Sequence, residues 1–172
     1  MHEALLALLE EKPFDAITVR DLSARAGIGY ATFFRHYPSK AALLDDVAAD
    51  EISELLDLGL AQLETVDTRA GAETFFRHVD EKRALWSVLL TGGAAGRMRE
   101  EFIRQAGAQT SANAPAQQNN GSWLPEDLKV IFGVGAAVEI LAWWLYRGRD
   151  YSIEQAAEIL DRLVVSPMMT AP

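Results

Sequence analysis

The segment from Thr18 to Leu44 most strongly limits the folds open to this chain. It reads TVRDLSARAGIGYATFFRHYPSKAALL. Thr18 is a good helix N-cap, and Asp21 follows three positions later, near the positive end of the helix dipole. Gly27 stands where that helix would end in the left-handed conformation that glycine tolerates and β-branched residues resist. The chain is therefore expected to form a short helix and then to turn.

A second short helix is expected directly after the turn. Tyr30 to Tyr37 provides roughly two helical turns, in which Phe33 and Tyr37 are four positions apart and can both face the core. Pro38 ends this helix and Ser39 caps a third, longer one. Two short helices around a glycine turn, with aromatic and basic side chains on the second, suit the reading of DNA. The positions on or near its exposed side are Tyr30, Ala31, Thr32, Phe34, Arg35 and His36.

The same segment resembles the DNA-binding domain of TetR-family repressors, which are helix-turn-helix proteins of bacteria. Leu5 to Phe14 also looks like the first helix of that family and the turn after it, so the resemblance covers about residues 2 to 64. Beyond this region it extends to the architecture only. The matching residues are Thr18, Arg20, Leu22, Ala24, Ala26, Gly27, Ile28, Thr32, Phe33, Arg35, His36, Tyr37, Pro38, Ser39, Lys40, Ala42, Leu43 and Leu44.

Three positions depart from the family pattern. Tyr30 stands where the family often has Lys, and Phe34 stands where it often has Tyr, so one charge and one phosphate donor are missing. Gly29 replaces the usual Ser cap at the turn, and it is a weaker cap by a few tenths of a kcal/mol. DNA binding is expected to remain, with fewer contacts from each subunit to the DNA backbone.

The resemblance implies an all-α fold with a three-helix DNA-binding domain over residues 1–45. A long helix would join it to a helical effector-binding and dimerisation domain over residues 46–172. The implied function is a repressor that binds a palindromic operator in double-stranded DNA as a homodimer and is released by a small-molecule effector.

Individual roles on DNA follow from the side-chain chemistry. Arg20 and Arg35 are candidates for guanine edges or phosphate, and Ala31 for a thymine methyl group. His36 and Lys40 are candidates for phosphate. The complete predicted DNA-binding set is Thr18, Arg20, Gly29, Tyr30, Ala31, Thr32, Phe34, Arg35, His36 and Lys40.

The net charge of −9 argues against DNA binding at first sight. Residues 1–45 contain five Lys or Arg against six Asp or Glu, whereas the remaining residues contain eleven against nineteen. The acidic excess therefore lies mainly outside the predicted DNA-binding domain, and a local basic cluster matters more for phosphate contact than the total charge. The predicted DNA-binding domain over residues 1–45, called the head below, is nearly neutral and would bind DNA weakly alone. Two heads are therefore expected to act together.

The remaining sequence has a helical pattern throughout. From Lys40 to Glu64 apolar residues recur at three- and four-residue steps, which predicts one long amphipathic helix of roughly 35 Å. Residues 107–122 contain no charge and no large apolar side chain, which predicts a flexible loop. Further helices are predicted over about 68–79, 84–90, 95–105, 125–147 and 152–165.

The last two predicted helices are largely apolar and are expected to form a dimer interface. Ser152 and Gln155 form a capping box that opens the second of them. A helix that is apolar on more than one face needs more than one neighbour, so one face should pack within the subunit and the other against a partner. The resemblance implies the same four-helix interface. The predicted interface residues are Gly133, Ala136, Ile140, Trp144, Ile153 and Leu160.

Aromatic and flexible side chains after Thr65 are candidates for the lining of an effector pocket. Each of them is also typical of an ordinary helical core. Glu139 is more informative, because an acid within an apolar stretch should have a partner or reach water. Contact with a ligand and a hydrogen bond across the dimer are both open for it. The predicted pocket residues are Phe75, Phe76, Trp86, Met98, Phe102, Glu139 and Trp143.

Other activities have little support in the sequence. No G-x-S-x-G, P-loop or Rossmann fingerprint occurs, so neither catalysis nor a cofactor is expected. The three histidines are scattered, and His78 is interpreted as an ordinary surface or satisfied histidine rather than a metal ligand. The chain has no cysteine, which fits a reducing cytosol. The apolar stretch from Ala4 to Leu9 is too short to span a membrane.

One alternative function stays open at this level. The acidic charge, Tyr30 and Phe34 also suit a helical small-molecule-binding protein whose head has lost operator binding. Salt-dependent binding to a palindrome near the protein's own gene would separate the two.

Overall fold

The computed structural model describes residues 1–63, 67–92, 95–113 and 124–170. Every regular element in these ranges is helical, as the sequence predicts. A 3₁₀ turn over Phe14–Ala16 follows the first helix, and a π-helical turn over Asp161–Val165 precedes the last. The helices are α1 (His2–Glu11), α2 (Val19–Arg25), α3 (Tyr30–His36), α4 (Lys40–Leu63), α5 (Thr68–Glu81), α6 (Arg83–Thr91), α7 (Ala95–Asn113), α8 (Glu126–Tyr146), α9 (Ile153–Leu160) and α10 (Ser166–Thr170).

The helix ends follow the local chemistry of the sequence. The Thr18 hydroxyl accepts from the Asp21 N–H at 3.1 Å, and the Asp21 carboxylate accepts from the Thr18 N–H at 2.8 Å, so a capping box opens α2. Gly27 has a φ of 66°, the left-handed conformation that glycine adopts without strain. A second capping box, formed by Ser152 and Gln155, opens α9. The turn between α2 and α3 is thus formed as predicted.

The N-terminal helices enclose a small core of their own. Ile17, Leu22 and Phe33 are fully buried, and α2 packs against both α1 and α3. Leu43 and Leu44 add apolar surface from the first turns of α4. The helix-turn-helix unit is therefore packed onto the beginning of the long helix.

Helices α4 to α10 form the larger body of the protein. Helix α8 packs against α6, α7 and α9, and α5 packs against α4 and α9. Phe76 and Trp144 meet edge to face with ring centroids 5.1 Å apart, and Trp86 is fully buried near them in the same core. Burial of each such side chain stabilises the fold by roughly 2–3 kcal/mol relative to leaving it exposed.

Helix α7 continues through part of the segment that the sequence predicts to be a loop. Residues 107–113 are helical, so the prediction is wrong there. The reason is tertiary packing: Ala106 is buried, the Gln105 side chain donates to the Ala49 carbonyl at 3.1 Å, and the Gln109 side chain donates to Asp57 at 2.9 Å. Contacts with α4 and α8 therefore hold a weakly helical sequence in a helix. Residues 114–122 of the predicted loop lie outside the described residues.

Helix α8 is long and apolar enough to cross a membrane by length and composition alone, with a mean hydropathy of 1.7 over its best stretch. The core helix of a soluble protein passes the same test. Helix α8 packs on three other helices of the chain, which accounts for part of its apolar character, and 28% of this stretch is buried.

Candidate DNA-binding surface and ligand cavity

One side of α3 is open to solvent. Tyr30, Ala31, Phe34 and Arg35 are exposed, whereas Phe33 on the opposite side is fully buried. Positions 30, 31, 34 and 35 form a continuous stripe because residues three and four apart are neighbours on a helix. Of the other predicted DNA-binding residues, Thr18, Arg20, Gly29 and His36 are exposed and Thr32 is half-buried. The structure therefore brings most of the predicted set to the surface of α2 and α3.

Two arginines on this surface have no internal partner. Arg20 and Arg35 are exposed and form no ion pair or side-chain hydrogen bond with any described residue, and the same holds for His36. Arg25 differs, since it pairs with Glu11 at 2.5 Å. The guanidinium groups of Arg20 and Arg35 are thus available to an external acceptor such as a phosphate oxygen or a guanine edge.

Lys40 has a different role from the phosphate contact that the sequence predicts. Its ammonium group donates to the carbonyl oxygens of Phe14, Asp15 and Ile17 at 2.9, 3.1 and 2.7 Å, which uses all three of its protons. The same nitrogen lies 4.7 Å from the centroid of the Phe14 ring. Lys40 therefore joins the first turn of α4 to the 3₁₀ turn after α1, and the prediction of a phosphate ligand is wrong in this structure.

A polar cluster connects the end of α3 to α4. The Tyr37 hydroxyl donates to Asp46 Oδ2 at 2.6 Å, and His2 Nε2 lies 3.0 Å from the same oxygen. The hydrogen bond to Asp46 raises the pKa of Tyr37 to about 12, with burial and the charges of Asp46 and Asp50 acting in the same direction. The hydrogen bonds from Tyr37 and then from His2 lower the pKa of Asp46. This cluster holds Tyr37 neutral and Asp46 ionised at neutral pH.

A cavity of about 370 Å³ that is partly open to solvent lies in the body, lined by α4, α5, α7, α8, α9 and the C-terminal turns. Its wall is formed mainly by aliphatic, aromatic and glycine residues. The polar side chains on the wall are Thr68, Gln109 and Lys129. These three are not among the predicted pocket residues, and Gln109 falls in the segment predicted as a loop. The cavity has the size and chemistry of a site for a small, largely apolar molecule.

The predicted pocket residues divide between the cavity and the core. Phe75 and Phe102 line the cavity. Phe76, Trp86 and Met98 do not line this cavity and are buried among other core residues. A single sequence cannot separate a core aromatic from a cavity aromatic, because both need the same apolar face of a helix.

Glu139 and Trp143 also lie away from the cavity wall. The Glu139 side chain is 72% exposed and lies 3.9 Å from Arg99, so this acid satisfies its hydration by reaching water. Trp143 packs on Tyr151 with ring centroids 4.7 Å apart. The structure therefore does not bring these two residues to the wall of this cavity.

Comparison with known proteins supports the DNA-binding assignment. A family model for bacterial regulatory proteins of the tetR family matches residues 3–47. The HTH-type transcriptional regulator EthR of Mycobacterium tuberculosis is 30% identical over 172 residues, which cover 91% of this chain and 78% of EthR. This chain belongs to the TetR family. The uncharacterised HTH-type transcriptional regulator YxbF of Bacillus subtilis is 24% identical over 111 residues, which cover 61% of this chain and 29% of YxbF.

Solved structures of TetR-family proteins share the whole fold. The repressor AlkX from Dietzia sp. strain DQ12-45-1b, implicated in biodegradation of n-alkanes, superimposes with a TM-score of 0.67 over 99% of this chain and 96% of AlkX, at 15% identity. A TetR transcriptional regulator from Rhodococcus sp. RHA1 superimposes with a TM-score of 0.59 over 94% of this chain and 88% of its own, at 18% identity. The relatives are transcriptional regulators, and the chain is a TetR-family DNA-binding regulator.

The predicted dimer residues lie mostly on the inner side of the C-terminal helices. Trp144 and Leu160 are 2% and 4% exposed within a single subunit, so they are core residues and the interface prediction is wrong for them. Gly133 lines the cavity, and a Cβ placed on it would meet Met168 at 2.9 Å. The other predicted interface residues are half-buried against the subunit's own core: Ala136, Ile140 and Ile153.

The outer face of α8 carries exposed apolar side chains that the sequence analysis does not single out. Leu128, Ile131 and Phe132 are 49%, 44% and 55% exposed. They lie at helical spacing of three and four residues, so they share one side of the helix. Which side of an apolar helix is buried within the chain depends on tertiary packing, which the spacing of apolar residues alone does not reveal.

A buried polar cluster lies between α4 and the turn from α5 to α6. Lys82 Nζ donates to both carboxylate oxygens of Glu51 at 2.7 Å and to Glu54 at 3.3 Å. Burial alone lowers the pKa of Lys82, but the hydrogen bonds and charges of Glu51 and Glu54 outweigh it and raise that pKa. His78 Nε2 is buried, has no hydrogen-bond partner in the part of the chain that the structure describes, and lies 3.9 Å from Glu51.

The sequence predicts no metal site, but three residues of this cluster are of types that can bind a metal ion. Ligand atoms of Glu51, Glu54 and His78 lie within 4.8 Å of one another, a spacing that a metal ion could bridge. The sequence analysis missed the grouping because the residues come from different helices. In the structure the ammonium group of Lys82 supplies the positive charge between the carboxylates.

Proposed function

We propose that this protein is a ligand-responsive transcriptional repressor that binds a palindromic operator as a homodimer and is released from it by a small molecule. The observation that carries the proposal is the pair of exposed arginines, Arg20 and Arg35, which have no acidic partner among the described residues. Membership of the TetR family supports DNA as the acceptor for them. Each guanidinium can contact a phosphate or a guanine edge.

The charge of the head favours binding by two subunits. Arg20 and Arg35 are the arginines of residues 1–45 without an ion pair to any described residue, and residues 1–45 contain five basic against six acidic residues. A two-fold dimer places two recognition helices in successive major grooves about 34 Å apart, which doubles the contacts and reads a palindrome. The exposed apolar face of α8 formed by Leu128, Ile131 and Phe132 is a surface that a second subunit would cover.

The chemistry of the cavity favours a largely apolar effector. Leu55, Phe75, Phe102 and Val134 are among its lining residues, and few polar groups interrupt them. A ligand that fills about 370 Å³ of such a cavity gains affinity mainly from burial of apolar surface.

Helix α4 connects the cavity to the head. Leu55 and Leu56 on α4 line the cavity, and Lys40 at the start of the same helix is bonded to the head. The Gln109 side chain on the cavity wall donates to Asp57 of α4 at 2.9 Å. A ligand that displaces this part of α4 would therefore change the spacing of the two heads.

The proposal is tested by selecting a binding sequence from random double-stranded DNA with the full chain. The selected duplex is then analysed with the protein by sedimentation. The expected result is two chains on a duplex that contains an inverted repeat, with affinity that falls steeply as salt rises. Phe132→Asp should weaken dimerisation and operator binding together, whereas Glu81→Gln, at an exposed position at the end of α5, serves as the control and should alter neither.

Repression needs a second readout. A reporter gene placed behind the selected sequence should be expressed less when the protein is present. Selection of no preferred sequence, or one chain on a single half-site with unchanged affinity in Phe132→Asp, would contradict the proposal. It would instead favour the helical small-molecule-binding protein that has lost operator binding.

A further inference from the structure

The exposed stripe of α3 is unusually apolar for a surface that contacts a polyanion. The Tyr30 and Phe34 side chains are 54% and 45% exposed. Their rings meet edge to face with centroids 5.1 Å apart. Together with Ala31 they place two aromatic rings and a methyl group on the side of α3 that ends at Arg35.

The Phe34 ring is held in place from two sides. It contacts Tyr30 on the exposed side, and it meets the fully buried Phe33 edge to face at 5.5 Å. Phe33 in turn packs on Tyr37 at 6.0 Å. An exposed ring supported in this way loses little conformational entropy when it is covered by a ligand.

The chemistry of these side chains limits what they can recognise on DNA. Phe34 has no hydroxyl and cannot donate a hydrogen bond to phosphate. The apolar group that a base pair offers in the major groove is the C5-methyl group of thymine, and Phe and Ala side chains contact it. An apolar stripe on a recognition helix is therefore suited to reading methyl groups.

We infer that Tyr30 and Phe34 form a two-ring platform that reads the C5-methyl groups of thymines in each half-site. The inference rests on operator binding by α3. It assigns Phe34 as a specificity-determining residue that acts by apolar contact, while Arg20 and Arg35 supply the polar contacts. The selected operator should therefore contain thymine at the positions covered by the two rings.

The test compares thymidine with deoxyuridine in the operator. Deoxyuridine lacks only the C5-methyl group and pairs with adenine in the same way. Deoxyuridine replaces thymidine first at one position in one half-site of the selected operator. It then replaces thymidine at the symmetric position of the other half-site as well. For the full chain, loss of one covered methyl group should weaken binding by about fourfold, because one buried methyl-sized group is removed. Substitution in both half-sites should weaken it by roughly tenfold or more.

Variants separate the ring contacts from other contacts. In Phe34→Ala the penalty for deoxyuridine should disappear at the affected positions, and Tyr30→Ala should reduce it. Arg20→Ala is the control, since it should weaken binding to both duplexes while the deoxyuridine penalty stays. Phe34→Tyr keeps the ring and should keep the penalty. Because Phe34 is 45% exposed, Phe34→Ala should fold as the full chain does, which thermal unfolding checks.

The outcomes are distinct from those of the proposed function. If no duplex is selected, operator binding itself fails. If a duplex is bound but deoxyuridine has no effect at any position, the thymine-reading inference is wrong. It is also wrong if the penalty is the same in Phe34→Ala, Tyr30→Ala and the full chain, a result that would assign the methyl contact to another residue such as Ala31.

Discussion

The Tyr37 hydroxyl donates to Asp46 Oδ2 at 2.6 Å and so joins the residue that follows the recognition helix to the second turn of α4. His2 adds a third member from α1, at 3.1 Å from Tyr37 and 3.0 Å from Asp46. The orientation of α3 is therefore coupled to the helix whose later part lines the ligand cavity.

Removal of the Tyr37 hydroxyl should loosen this connection. Tyr37→Phe is expected to lower the free energy of unfolding by about 1 kcal/mol, because a hydrogen bond to a half-exposed carboxylate is lost while the ring remains. Operator affinity should fall modestly as α3 becomes less firmly oriented. Thermal unfolding and DNA titration measure the two effects, and an unchanged unfolding free energy would show that the bond does not contribute.

The raised pKa of Tyr37 predicts a loss of stability at alkaline pH. The ordinary tyrosine value is 10.0 and the folded value is about 12, so the folded state binds more protons than the unfolded state between these values. This contribution is complete below about pH 10 and is lost as the pH rises through about 12. Phenolate absorbance should show one late-titrating tyrosine that is missing from Tyr37→Phe. Equal titration of all tyrosines near pH 10 would refute the coupling to Asp46.

Lys40 and Arg35 should respond differently to substitution. Lys40→Met removes a charged donor from three backbone carbonyls and is expected to cost about 1–3 kcal/mol of stability. Arg35→Ala has no internal partner to lose and should leave the unfolding free energy nearly unchanged. Thermal unfolding measures the unfolding free energy of both variants. If the two variants were equally stable, the carbonyl contacts of Lys40 would contribute little to stability.

The Lys82 cluster should be important for stability. Lys82→Met leaves the buried Glu51 carboxylate without its main partner and is expected to cost about 2–3 kcal/mol, below the full value for a buried pair because Lys82 is partly exposed. Glu54→Gln is the matched control, since the Glu54 side chain is 57% exposed, and it should change stability little. Denaturant unfolding compares them, and a similar small effect in both would contradict the assigned role of Glu51.

The cavity can be closed without changing the head. Ala137→Phe places a ring in the cavity, and it should abolish binding of an apolar naphthylamine dye that the full chain binds with one site per subunit. Glu139→Gln is the control two residues later, and it should retain dye binding because its side chain is exposed. Fluorescence titration measures both, and dye binding that survives in Ala137→Phe would place the dye outside the cavity.

The head could be predicted from the sequence because its structure depends on local chemistry. Thr18 with Asp21 caps α2, and Gly27 adopts the left-handed turn between the two short helices. The role of Lys40 could not be predicted in this way. Its acceptors lie 23 to 26 positions earlier in the chain, and only the packing of α4 on the 3₁₀ turn brings them together.

The body was predicted less well because several of its features depend on packing between distant helices. The helical state of Gln109 is fixed by contact with α4 and not by its own polar surroundings in the sequence. Trp144 and Phe132 illustrate the same limit: both belong to an apolar helix, yet one is 2% exposed and the other 55%. Periodicity alone cannot show which apolar side faces the subunit core.

The most direct measurement compares operator affinity in Arg35→Ala and Arg25→Ala. The two arginines lie in the same domain, but Arg25 is paired with Glu11 and Arg35 has no partner among the described residues. Fluorescence anisotropy with the selected duplex should show a loss of roughly tenfold or more in Arg35→Ala, since each of two subunits loses one contact to DNA. Arg25→Ala should bind nearly as well as the full chain. Equal affinities for Arg35→Ala and the unsubstituted protein would contradict the assignment of this surface to DNA.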